Sequence, residues 1–228
     1  MLIHVPAVLT PEEVRHCRTV LENSPWVDGR VTAGEQAALA KYNLQIPVDS
    51  DEARDLGQLI LEALARNPTY NSAALPLRVL PPMFNRYDVG MTFGAHVDNA
   101  IRTVPGSGGM RMRADVSTTI FLTDPEEYEG GELVIEDTYG AQAVKLPAGD
   151  MVVYPASSLH RVEPITRGSR WGSFFWAQSM VRDAGDRSML YDLDVAIIET
   201  RRQLGDDNPA VLGLVNHYHN LLRRWVEL

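Results

Sequence analysis

His96-Val97-Asp98 sets an imidazole and a carboxylate two positions apart, and His160 and Arg170 follow downstream. In an extended segment, residues i and i+2 point to the same side. His96 and Asp98 can therefore reach one metal ion, with His160 as a third ligand. Two histidines and one carboxylate cap one face of an octahedral Fe(II) and leave the opposite face open for a co-substrate and O2. Arg170 can then hold the far carboxylate of an organic diacid through two parallel hydrogen bonds. The same ligands also suit Zn²⁺ in a hydrolytic site, but Arg170 has no evident part in that chemistry. The triplet alone is weak evidence, because this composition yields about 0.4 His-x-Asp triplets by chance. Its weight comes from His160, sixty-two positions after Asp98, and from Arg170, each in a strand-like segment.

Counting by two along the segment that Arg170 opens puts Arg170, Gly172, Phe174 and Trp176 on one face. Gly172 would leave room on the way from Arg170 to the metal, and Trp176 would wall the site. Tyr87, nine residues before His96, is placed to hydrogen-bond a co-substrate carboxylate, and a structural hydroxyl is the alternative. The face Ser117, Thr119, Phe121 is expected to line the pocket. His217-Tyr218-His219 looks like a metal pair but falls in a helical pattern, where i and i+2 do not share a face. His4 and His16 carry no signal, and Cys17 falls on the apolar side of a helix.

The elements that must position these residues follow from periodicity and punctuation. Thr10-Pro11-Glu12-Glu13 reads as a capping box opening a helix that ends before Pro25. A second helix is expected from about Asp51 to Arg66, stopped by Asn67-Pro68. Between Leu77 and Arg182 short β-branched and aromatic runs alternate with turns. The expected strands are Met83–Tyr87, Ala95–Val97, Val116–Leu122, Glu132–Glu136, Ala141–Lys145, Met151–Tyr154, Leu159–Glu163 and Gly172–Met180. That pattern predicts a sandwich or jelly-roll barrel. Residues 100–114, rich in Gly and Arg, read either as a loop of the kind that closes over a site or as a solvated hairpin connection. Helix returns after Asp186 and again from about Ala210 to Trp225. The fold expected is mainly β with flanking helices: an N-terminal helical support region (1–76), a barrel core (77–182) and a C-terminal helical extension (183–228). The apolar faces of that extension suit packing on the barrel or a homo-oligomer interface.

The net charge of −9 argues against a general nucleic-acid binder, although 19 of the 21 basic residues are Arg and local patches remain open. With Cys17 as the only cysteine, neither an intrachain disulfide nor a thiolate zinc site can form. No apolar stretch is long enough for a membrane span, and the first residues lack the basic and apolar regions of a signal peptide. The cytoplasm is the expected compartment.

Several segments, in this order, resemble one family. They are Phe84-Asn85-Arg86-Tyr87, His96-Val97-Asp98-Asn99, Tyr128-Glu129-Gly130-Gly131-Glu132-Leu133, Leu146-Pro147-Ala148-Gly149-Asp150, Ser158-Leu159-His160, Arg170 and Ser173-Phe174-Phe175-Trp176. The chain is similar to the Fe(II)- and 2-oxoglutarate-dependent dioxygenases of the prolyl/lysyl hydroxylase type, in particular bacterial PKHD-type hydroxylases. The resemblance runs over nearly the whole chain. It implies a double-stranded β-helix (jelly-roll, cupin-like) core, iron held by His96, Asp98 and His160, and the distal carboxylate of 2-oxoglutarate held by Arg170. It also implies ascorbate, which keeps iron reduced, and O2 as co-substrate. The activity implied is hydroxylation of a protein or small-molecule substrate with release of succinate and CO2. A halogenase would leave the Asp98 position free for halide. The alternative from a different class is a sensor that binds iron and 2-oxoglutarate without turnover. Phe121 departs from the pattern: it falls about where eukaryotic prolyl hydroxylases place a tyrosine that binds the co-substrate, and it cannot donate that hydrogen bond.

Overall fold

The structure, a computed structural model, describes residues 1–32, 35–137 and 140–228. In chain order the elements are β1 (Ile3–Val5), α1 (Pro11–Glu22), β2 (Val27–Asp28), α2 (Glu35–Ala40), β3 (Lys41–Tyr42), β4 (Leu44–Gln45), α3 (Asp51–Ala65), α4 (Pro68–Ala74), β5 (Pro76–Val79), β6 (Met83–Tyr87) and β7 (Thr92–His96). There follow β8 (Ile101–Thr103), β9 (Arg111–Arg113), β10 (Val116–Phe121), β11 (Glu129–Gly130), β12 (Leu133–Asp137), β13 (Gly140–Val144), β14 (Met151–Pro155), β15 (His160–Val162), β16 (Ile165–Arg167), β17 (Arg170–Ser179), α5 (Ala184–Leu204) and α6 (Pro209–Trp225).

Two antiparallel sheets form the core. The larger runs β1-β14-β10-β17-β6-β4-β2, with β5 also on β17; the smaller runs β13-β12-β15-β7-β3. One face of the large sheet packs under the N-terminal helices, where Phe84, Ile120, Trp171 and Phe175 meet Leu21, Leu56, Ile60 and Tyr70. Its other face meets the small sheet, where Tyr87, Phe121, Val152 and Tyr154 pack with Leu133, Ile135 and Val162. Strand β10 is covered on both faces and every residue in it is buried. Its alternation therefore sorts two environments: Val116 and Ile120 face the helices, while Ser117, Thr119 and Phe121 face the sandwich interior. This is the jelly-roll arrangement expected of the strands.

The helix signals act as read. Thr10 accepts from the Glu13 amide at 3.2 Å, and the Glu13 carboxylate accepts from the Thr10 amide at 2.8 Å. That reciprocal pair opens α1, which buries Cys17 and Leu21. Ser50 caps α3, whose buried residues Leu56, Ile60, Ala63 and Leu64 form the expected face. Asn67-Pro68 stops α3 but also starts α4: Asn67 accepts from the Tyr70 amide at 2.9 Å and Pro68 takes the first helical position. Pro68 disfavours helical backbone at Asn67 and so ends α3, while the Asn67 side chain and the missing proline amide hydrogen suit the start of α4.

Some boundaries differ from the expected ones. β7 begins at Thr92 rather than Ala95, because it pairs with β3 as well as β15. α5 begins at Ala184, earlier than expected, because Asp183 caps it through the Gly185 and Asp186 amides. Of the two readings of residues 100–114, the structure has the hairpin. Ile101 pairs with Arg113 and Thr103 with Arg111 in a two-stranded hairpin, and Met112 is buried. The C-terminal helices pack together and onto the barrel domain where Leu190 of α5 and Tyr218, Leu222 and Trp225 of α6 meet Leu75 and Val181. Among the described residues no helix is long and apolar enough to cross a membrane.

Candidate metal centre and co-substrate pocket

The small sheet carries the two imidazoles. His160 on β15 lies directly opposite His96 on β7, so antiparallel pairing brings together residues far apart in sequence. Their ring centroids are 4.2 Å apart. Phe93 stacks on the His96 ring at 3.6 Å, and Tyr154 meets the His160 ring edge-on at 5.3 Å. His96 Nδ1 is 2.8 Å from the Gly94 carbonyl oxygen, and His160 Nδ1 is 3.0 Å from that of Ser158. Each Nδ1 therefore carries the proton and donates it to a carbonyl, which fixes the tautomer and leaves each Nε2 lone pair free.

Asp98 lies just past the end of β7, and its Oδ2 sits 3.9 Å from His160 Nε2. That oxygen is buried without a hydrogen-bond partner. One ligand atom from each of His96, Asp98 and His160 lies within 4.8 Å of the others. Burial, followed by the neighbouring His160, pushes the His96 pKa down, so His96 is a neutral imidazole near neutral pH. Two imidazoles and an unsatisfied carboxylate oxygen, converging in one pocket, fit a divalent cation with nitrogen and oxygen ligands.

The same pocket runs from this cluster to Arg170, and Asn85, Tyr87, Ser117, Thr119, Tyr154 and Trp176 are on its wall. Arg170 is 1% exposed, pairs across β17 and β6 with Tyr87, and holds its guanidinium 5.4 Å from the Tyr87 ring and 5.0 Å from the Phe121 ring. Its Nε and one terminal nitrogen have no acceptor in the protein. A buried guanidinium left so is costly unless an anion completes it. A Cβ at Gly172 would stand 3.1 Å from the Ile120 carbonyl oxygen and 3.4 Å from Asn85 Oδ1, so glycine keeps that stretch of β17 clear. Burial pushes the Tyr87 hydroxyl pKa up, against the pull of the Arg170 charge.

The structure thus brings His96, Asp98, His160, Arg170 and Tyr87 to one pocket, with Ser117, Thr119, Phe174 and Trp176 on its wall. His217 and His219 are exposed on α6, Cys17 is buried, and His4 bonds Asp150 at 2.7 Å, away from the pocket. The sequence gives no warning of Lys41, on a strand of two residues, or of Asn43, the residue between β3 and β4, because these strands are too short to show a period. Asn85 is legible in retrospect, two positions before Tyr87 on the same strand face.

Comparison with known proteins agrees with this geometry. Residues 82–178 match the model of the 2OG-Fe(II) oxygenase superfamily, and residues 184–227 match that of the PKHD-type hydroxylase C-terminal domain. The chain is 75% identical to a PKHD-type hydroxylase of Cupriavidus metallidurans and 69% identical to one of Methylobacterium nodulans, in each case over 100% of both chains. Among solved structures it shares its fold with a Pseudomonas putida prolyl-4-hydroxylase, with a TM-score of 0.51 and 18% identity over 78% of this chain and 92% of that one. It is similar in fold to HygX from Streptomyces hygroscopicus, solved with nickel and 2-oxoglutarate bound, with a TM-score of 0.53 and 16% identity over 79% and 84% of the two chains. With matched family models over both the barrel and the helical tail, and full-length identity this high, the chain belongs to the PKHD-type hydroxylases of the 2OG-Fe(II) oxygenase superfamily.

Proposed function

We propose that this enzyme hydroxylates its substrate at a centre where His96, Asp98 and His160 hold Fe(II) and Arg170 holds the distal carboxylate of 2-oxoglutarate. Ferrous iron with 2-oxoglutarate and O2 supplies the oxidising power: one oxygen atom goes to the succinate formed as CO2 leaves, the other to a substrate carbon. The observation that carries the residue assignment is the pair of unsatisfied groups in one buried pocket, Asp98 Oδ2 at one end and the Arg170 guanidinium at the other.

The protein's part is positioning and exclusion of water. The Gly94 and Ser158 carbonyls hold both imidazoles in the ligating tautomer, and Phe93 and Tyr154 lock the ring planes. Arg170 sits between Tyr87 and Phe121, which dry its surroundings and strengthen its grip on a carboxylate. Tyr87 completes the wall of that end. Ascorbate, in this reading, keeps the metal reduced between turnovers. Residues 77–182 act as the oxygenase core, with 1–76 as its support and 183–228 as its helical extension; the spans of the two family models support the last two boundaries. We place the enzyme in the cytoplasm, where its single buried thiol is at home.

The test is 2-oxoglutarate turnover to succinate with Fe(II) and O2. Asp98→Ala and His160→Ala should each lower it to background. Full activity in either would overturn the ligand assignment. Stoichiometric 2-oxoglutarate binding with no succinate across broad candidate substrates would make the protein a sensor instead. Activity with Zn²⁺ and without O2 would make it a hydrolase.

A further inference from the structure

Tyr128 stands beside Arg170. It is 1% exposed and packs in the same buried cluster as Tyr87 and Phe121, the two rings set against the guanidinium. A short pairing brings it there. Tyr128 immediately precedes β11, and β11 pairs with β16 just ahead of Arg170. The turn that follows holds both side chains close to one point: a methyl at Gly131 would stand 3.1 Å from Tyr128 Cε2 and 3.3 Å from Arg170 Cδ. Lys145 fixes the residue from the other side, with its ammonium 4.0 Å from the ring centroid and donating to the Tyr128 carbonyl at 2.9 Å.

The Tyr128 hydroxyl is buried and has no hydrogen-bond partner among the described residues, and the same holds for Arg170 Nε and one of its terminal nitrogens. Burial pushes the hydroxyl pKa up, against the pull of the Arg170 charge, so the phenol keeps its proton near neutral pH and can donate it. A phenol and a guanidinium side by side, neither completing the other, lack the same thing: an acceptor. A carboxylate supplies it. Its two oxygens offer about four acceptor sites, of which a guanidinium fork takes two. The others are stranded in a site closed to water unless a further donor reaches them. Phe121, with its ring 5.0 Å from the guanidinium, has no hydroxyl to give. An unpaired hydroxyl alone is not enough to mark a site. Tyr70 has one as well, but it lies under the helices against Phe175, where burial alone acts on its pKa.

We propose that the Tyr128 hydroxyl is the second donor to the distal carboxylate of 2-oxoglutarate, and that with Arg170 it selects a dicarboxylic keto acid over a monocarboxylic one. This deepens the oxygenase reading of the pocket and rests on it.

Titration of the oxygen-free, Fe(II)-loaded protein with 2-oxoglutarate and with 2-oxopentanoate tests it, since the second acid has a methyl group where the first has its distal carboxylate. Tyr128→Phe should weaken 2-oxoglutarate binding about ten- to hundredfold, because a hydrogen bond to a charged group is lost. The same variant should bind 2-oxopentanoate within about threefold of wild type. Tyr70→Phe, the same change at an equally buried ring, should bind both acids like wild type. Thermal melts without keto acid separate a ligand donor from a packing role. Tyr128→Phe removes an unsatisfied hydroxyl and should melt no lower than wild type. A Tyr128→Phe protein that binds 2-oxoglutarate within about threefold of wild type would overturn the proposal. So would equal weakening of both acids, or a ligand-free melting temperature several degrees lower, either of which marks a structural hydroxyl. If wild type itself binds no 2-oxoglutarate, the oxygenase reading falls and takes the proposal with it; wild-type binding with an unaffected variant strikes the proposal alone.

Discussion

Replacing Arg170 with Met should move ligand binding and stability in opposite directions. In the protein without 2-oxoglutarate the guanidinium is 1% exposed, and two of its nitrogens have no acceptor. The Tyr87 and Phe121 rings offset part of that cost, by about 0.5–2 kcal/mol. Exchanging a buried ionic group for an apolar one of similar size is neutral or stabilising by about 1–4 kcal/mol. The melting temperature of Arg170→Met without 2-oxoglutarate should therefore hold or rise, at about 2–4 °C per kcal/mol for a chain of this size. Binding should fall steeply, because removing one partner of a buried charge pair costs about 2–5 kcal/mol. That is about thirtyfold to several thousandfold in 2-oxoglutarate affinity. Thermal melts of the Fe(II)-loaded protein show both effects at once. Wild type should gain about 2.7 kcal/mol at one hundred times its Kd, and the variant at the same concentration should gain no more than about 0.9 kcal/mol. A variant that binds 2-oxoglutarate within threefold of wild type, or one that melts several degrees lower yet keeps the ligand shift, would refute the reasoning.

Three further outcomes follow from the packing. Gly131→Ala should destabilise by roughly 1–3 kcal/mol, read from the urea midpoint, because Gly131 has φ +69° and the new methyl would stand 2.3 Å from Ile165 Cδ1. It should also weaken 2-oxoglutarate binding, since that methyl would press within 3.3 Å of Arg170 Cδ; a variant as stable as wild type would show the turn to be pliant. The Cys17 thiol, whose pKa burial pushes up to about 12, should resist disulfide reagents in the native protein and react fully in denaturant. Because the folded state raises that pKa, the contribution holds below the unfolded thiol value of roughly 8.5 and is lost as pH climbs above it; stoichiometric native labelling at pH 8 would contradict the packing of α1.

The metal cluster was legible because its geometry is local twice over. His96 and Asp98 share a side by strand alternation, and His160 needed only a strand of its own to be paired opposite. The pocket faces of β10 and β17 were legible for the same reason: a period of two survives even where both faces are buried. The two readings of residues 100–114 stayed open because glycine content masks Ile101-Arg102-Thr103, a short β-prone run whose pairing with Arg111–Arg113 makes the segment a hairpin. The strand holding Lys41 has two residues and owes its existence to β7, so nothing local announces it. Tertiary pairing, rather than propensity, writes such elements.

The central claim is that this pocket binds Fe(II) and 2-oxoglutarate together. Adding Fe(II) and then 2-oxoglutarate to the oxygen-free protein while recording the visible spectrum tests it most directly. A weak charge-transfer band that requires both additions, and that needs far more 2-oxoglutarate in Arg170→Met, is the predicted result. Bound iron with no band at any 2-oxoglutarate concentration would contradict it.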